Sequence, residues 1–144
     1  MAVRKHGWGM LIISAVFVMM ILGCSSAPKS FVRGSGGDTT ILLRQGLDFE
    51  LAFREVAFIL NRHRFETEVI QPEVGYIRTR WNRWDSTTTL DAYRVRIVIN
   101  FNPNRTQVIV KAEAEHFVGG QWVQGYDSRA IETLRTDLNN VIGN

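Results

Sequence analysis

The sequence predicts an α+β fold: a two-layer domain whose antiparallel sheet carries two helices on one face, behind a cleaved amino-terminal leader. Three observations predict it. Tyr93 to Phe101 and Thr106 to Phe117 alternate apolar and polar side chains, as strands covered on one face do. Two segments, from Asp48 to about His63 and from Ser128 to Val141, repeat apolar residues at helical spacing. Met10 to Leu22 holds one polar side chain, Ser14, and follows Arg4 and Lys5, which is the layout of a secretory signal.

The apolar run is shorter than the ~18–20 residues of a spanning helix. It ends in Ile21-Leu22-Gly23-Cys24, which resembles the lipobox of bacterial lipoprotein precursors. The resemblance implies a diacylglyceryl group on the Cys24 sulfur, cleavage before Cys24, and acylation (a palmitate-type chain) of the new amino terminus. More than one chain makes such an anchor durable, since each buried CH₂ contributes ~0.8 kcal/mol. Ser25 follows the cysteine where an aspartate would retain the protein in the inner membrane. By that sorting pattern the expected address is the outer membrane, with the domain facing the periplasm. Residues 1–23 are thus read as signal, 24–37 as a lipidated, Gly- and Ser-rich tether, and 38–144 as one domain.

Cys24 is the sole cysteine. Lipidation consumes it, so the domain has no disulfide and no thiolate for catalysis or metal binding. The chain has 17 Lys and Arg against 14 Asp and Glu. Losing Arg4 and Lys5 leaves 15 basic groups, and from Asp38 onward the balance is 13 against 14. A near-neutral domain gives no case for nucleic acid.

The elements follow in order. Thr39 to Leu43 is β-branched and aliphatic, a first strand. Asp48 offers an N-cap to a helix whose Phe49, Ala52, Phe53, Val56, Ile59 and Leu60 form one face. Phe65 to Trp84 is extended, with an interruption at Pro72-Glu73 because proline cannot donate to a ladder. Tyr93, Val95, Ile97, Ile99 and Phe101 oppose Arg94, Arg96 and Asn100. Asn102-Pro103-Asn104-Arg105 is a turn. Val108, Val110, Ala112 and Ala114 oppose Lys111, Glu113 and Glu115. Gly119-Gly120 turns into a short strand, Gln121 to Tyr126. Ser128 or Asp127 caps a final helix with the stripe Ile131, Leu134, Leu138 and Val141, ended by Gly143.

This layout resembles the helix-grip domain of the BamC family of outer-membrane lipoproteins. The residues carrying the resemblance are the lipobox, the helix ending Ile59-Leu60-Asn61, Phe65 and Val69 on the next strand, Gly75-Tyr76-Ile77-Arg78-Thr79-Arg80-Trp81, and Tyr93-Arg94-Val95-Arg96. It spans about Asp48 to Ile142. It implies a non-catalytic protein-binding module in cell-envelope biogenesis, an accessory to barrel assembly. The chain departs from the family in having one such domain instead of two and no long amino-terminal gripping segment.

Chemistry-bearing groups are sparse. His63 and His116 lack metal-type spacing and read as capping or surface residues. Ser128 lacks the Gly-x-Ser-x-Gly surround of a nucleophile. Glu113 and Glu115 stand roughly 6–7 Å apart on one strand face, as a charge ladder does. No catalytic group, metal site or cofactor is expected, and no oligomeric state can be read.

Two surfaces remain for a partner. Arg78 and Arg80 share one strand face and Arg94 and Arg96 another, on the side away from the core. They form a patch for acidic segments, headgroups or glycan acids, or a ladder neutralised by Glu113 and Glu115. Trp84 extends the patch or covers the sheet edge. Leu51 and Phe58, seven apart on the first helix, form an exposed strip or lie beneath the second helix. Trp81, in step with Ile77 and Thr79, is expected in the core. The leading expectation is a membrane-anchored module for an envelope protein partner. The alternative is a lipoprotein binding lipid, glycan or peptidoglycan on its open sheet face.

Overall fold

The computed structural model describes residues 27–83 and 92–144. The segment read as a leader, Cys24 and Trp84 lie outside the described residues. Among the described residues the architecture is α+β: seven strands in one antiparallel sheet, and two helices. The strands are β1 (Phe31–Arg33), β2 (Asp38–Leu42), β3 (Thr67–Gln71), β4 (Tyr76–Thr79), β5 (Tyr93–Phe101), β6 (Gln107–Val118) and β7 (Gln121–Asp127). The helices are α1 (Phe49–Arg62) and α2 (Ser128–Ile142).

The sheet order is β1-β7-β6-β5-β4-β3, with β2 also paired to β6. β6 is 12 residues long. One side of it pairs with β5; the other takes β2 along Gln107–Lys111 and then β7 along Glu113–Val118. This end-to-end arrangement lets a short chain close one edge of a long strand.

Both helices cover one face. Alternate residues of β5 and β6, from Val95, Ile97 and Ile99 to Val108, Val110 and Ala112, meet Val56, Ile59 and Leu60 of α1 and Ala130, Leu134 and Leu138 of α2 in one core. Asp48 caps α1, accepting the Leu51 N–H at 3.0 Å. Of the two cap candidates for α2, Asp127 fills the role, accepting the Ala130 N–H at 2.7 Å. It also accepts hydrogen bonds from the hydroxyls of Ser30 and Tyr93, so this fully buried carboxylate has three donors. A buried charge left without such donors would be strongly destabilising. Across the helix pair, Asp137 of α2 accepts from Arg62 at 2.7 Å and meets the His63 ring nitrogen at 2.6 Å.

The segment read as tether contains β1. Phe31 to Arg33 pair with Gly125 to Asp127, and a turn precedes them in which the Phe31 N–H donates to the Pro28 carbonyl at 2.9 Å. Gly125 permits this docking. A Cβ there would stand 2.2 Å from the Val32 carbonyl oxygen.

Candidate functional site

The face of the sheet opposite the helices carries the sequence-predicted arginines, and a register slip shapes it. Arg78 pairs with Val98, but Asn82 pairs with Val95, so β4 spends one more residue than β5 between the two pairings. A one-residue bulge moves later side chains to the other face. Thr79 makes the bulge tolerable. Its buried hydroxyl accepts the Ile97 N–H at 2.8 Å and donates to the Arg80 carbonyl at 3.1 Å, replacing a ladder partner.

The consequence corrects one expectation. Trp81 is not in the core. It sits half-buried on the outer face, with the Arg96 and Arg94 guanidinium carbons 4.5 and 4.9 Å from its ring centroid. Arg94 also lies 4.1 Å from the Trp122 ring, and Trp122 packs on Phe117 at 5.2 Å. The arginine is therefore held by both indoles, with favourable charge–quadrupole contact to each.

Two of the four arginines belong to the ladder. Arg94 pairs with Glu115 at 2.6 Å and Arg96 with Glu113 at 2.6 Å, directly across β5 and β6. Arg78 pairs with Glu68 at 3.2 Å. Arg80 is exposed beyond the bulge and makes no ion pair among the described residues. The four thus do not form one cationic patch. They form a mixed-charge, aromatic surface in which two guanidinium planes are fixed in orientation.

Beside this surface is a cleft of about 480 Å³. Its floor is Trp81, Arg96, Lys111 and Glu113, and its rim is the loop Gly34 to Gly37 that joins β1 to β2. The loop crosses the outer face over Tyr126. A Cβ at Gly37 would fall 2.1 Å from that ring, and Gly37 has φ of +71°, so this position requires glycine. Sequence reasoning missed the cleft because its rim reads as linker.

Leu51 and Phe58 are both exposed on α1, at 37% and 60%, rather than covered by α2. Both histidines are accounted for by packing. His63 is the C-cap residue of α1 and bonds Asp137, as a capping role predicts. His116 corrects the surface reading: it is 5% exposed, on the core side of β6, 5.8 Å from the Phe31 ring. Glu113 and Glu115 are ladder members. Among the described residues, no three His, Cys, Asp or Glu side chains gather in a way that would hold a metal ion, and no helix is long and apolar enough to cross a membrane.

A scan against protein families found no match to this chain, and a search of curated proteins found none either.

Proposed function

We propose that the mature protein is a non-catalytic lipoprotein, anchored to the outer membrane through Cys24, whose outer sheet face docks a protein partner in cell-envelope biogenesis. The single observation that carries this reading is the Trp81–Arg94–Trp122 stack, with the Arg94 guanidinium 4.9 and 4.1 Å from the two ring centroids and bonded to Glu115. Interfaces draw their binding energy from a few Trp, Tyr and Arg side chains held rigidly beside a pocket. Here the arginine is pre-oriented by its ring contacts and its carboxylate, so little rotamer freedom is left to lose on binding. On the helix side, α1 exposes Leu51 and Phe58, without such a fixed cation beside them.

The layout of one sheet and two helices is consistent with a helix-grip domain resembling that of the BamC family, and barrel assembly is the process that resemblance suggests. A second reading has one observation in its favour. The adjacent cleft has the volume of a small-ligand site and mixed polar and apolar walls, which suits a glycan or headgroup. Crosslinking in intact membranes followed by pull-down of the full chain separates the two. Recovery of barrel-assembly components supports the first. Recovery of no protein, with lipid or glycan retained on the purified chain, sinks it.

A further inference from the structure

The charged groups of the cleft beside the stack are unevenly committed. Its two acids are taken: Glu113 accepts from the Arg96 Nε at 2.6 Å, and Glu115 from the Arg94 Nε at 2.7 Å. Its cations keep donors in reserve. The Lys111 ammonium makes no ion pair or side-chain hydrogen bond among the described residues. Asp38, opposite Lys111 on β2, does not line the cleft and forms no ion pair with it. Arg96 gives only its Nε–H to Glu113, so its two terminal nitrogens have no hydrogen-bond partner among the described residues.

The register brings these donors together. Arg96 stands opposite Glu113 and Val98 opposite Lys111, so Arg96 and Lys111 are diagonal neighbours on the outer face. Diagonal neighbours lie roughly 7–8 Å apart, within reach of long side chains. A carboxylate set between them can accept from both while Arg96 keeps its bond to Glu113. Bonds between ionised groups are the strong ones, and a partly buried pair is screened less by salt than an exposed one. Arg96 is already oriented by Trp81 and Glu113, so it has little freedom to lose when a ligand arrives. Val98, buried between Arg78 and Lys111 in the same row, gives the spot an apolar base.

The surroundings favour a peptide as the source of that carboxylate. The Trp81 ring, on which a sugar would stack, already carries the Arg96 and Arg94 guanidinium groups at 4.5 and 4.9 Å. From Trp81 the aromatic surface continues through Arg94 to Trp122 and Phe117, which suits the neighbouring side chains of an extended segment. We propose that Arg96 and Lys111 form a carboxylate subsite that receives an Asp or Glu side chain from an extended segment of the docked partner. This rests on the reading of the outer face as a protein-docking surface and names the chemistry of what docks.

The test places a photocrosslinking residue at Gln124, which lines the cleft, in the full chain in intact membranes. Adduct yield is compared between the parent, K111R, K111Q and K111E. The adduct should survive in K111R, fall about tenfold in K111Q, and vanish in K111E. Mass spectrometry of the parent adduct should place the crosslink in a segment holding Asp or Glu. Replacing that acid by lysine in the partner should restore the adduct to K111E, a rescue that a misfolded variant would not show. An adduct that persists unchanged in K111E overturns the proposal and leaves the docking reading standing. So does a crosslinked segment without an acid, or a loss in K111E that the charge swap does not restore. An anionic glycan or lipid retained by the purified parent and lost from K111E, with no protein adduct, overturns it too and gives the subsite to that ligand. No protein adduct in the parent removes the docking reading itself, and this inference with it.

Discussion

Replacing Thr79 by valine removes one oxygen from a fully buried site and changes almost nothing else in shape. That oxygen accepts the Ile97 N–H at 2.8 Å, and because of the bulge no carbonyl stands ready to take its place. The Arg80 carbonyl also loses a donor, but it can turn to water, since Arg80 is exposed. A buried donor left unsatisfied costs about 1–3 kcal/mol. Valine's better fit to a strand returns a few tenths of a kcal/mol. We therefore expect a net loss of about 1–2.5 kcal/mol, read by urea unfolding of the domain. With an m-value of ~1–3 kcal/mol/M, the midpoint falls by roughly 1 M. The stack should loosen as well, because the bulge is what carries Trp81 to the outer face. A fall in Trp81 contact with Arg94, seen as altered indole NMR shifts, should accompany the lower midpoint. Stability within about 0.5 kcal/mol of the parent, the range of an ordinary surface substitution, would refute the role given to the hydroxyl.

Other outcomes are expected. The hydrogen bond from His63 holds the Asp137 carboxyl below its ordinary value of 3.8, helped by Arg62 and opposed by burial. A carboxyl depressed in the folded state contributes stability that is present above 3.8 and lost as pH falls through the lower folded value. D137N should remove that acid-side loss, which unfolding curves collected from pH 5 downward would show as a flatter profile. G125A places a Cβ 2.2 Å from the Val32 carbonyl and should detach β1, seen as fast amide exchange at Phe31 to Arg33 while β5 and β6 stay protected. W122A removes one of the two rings on Arg94 and should cost about 0.5–2 kcal/mol of stability from the lost cation–π contact and packing. Guanidine unfolding would measure it, and the core should be left intact.

The helices and the central strands were legible because each carries its own period. The α1 face from Phe49 to Leu60 and its Asp48 cap, and the alternation of Tyr93 to Phe101, are local properties that tertiary contacts only reinforce. β1 was not legible. Phe31 to Arg33 is three residues between Ser- and Gly-rich stretches, and it is a strand only because Gly125 lets it approach β7. Trp81 failed for a different reason. Counting by twos from Ile77 assumes an unbroken pleat, and the slip between Arg78 and Asn82 breaks it. His116 was within reach, since it shares parity with Ala112 and Ala114; its polarity outweighed its position. The Arg–Glu ladder was anticipated as one of two alternatives, yet the two tryptophans that hold Arg94, one just after β4 and one in β7, lie far apart in sequence. Only the register brings them together.

The central claim is that the outer sheet face, and not the helix face, meets the partner. A photocrosslinking residue at Gln124, exposed beside the cleft, tests it in intact membranes against the same probe at Phe58 on α1. The account predicts a discrete protein adduct from position 124 that disappears in W122A, and none from position 58. An adduct from position 58 alone, or one from 124 that persists unchanged in W122A, would contradict it.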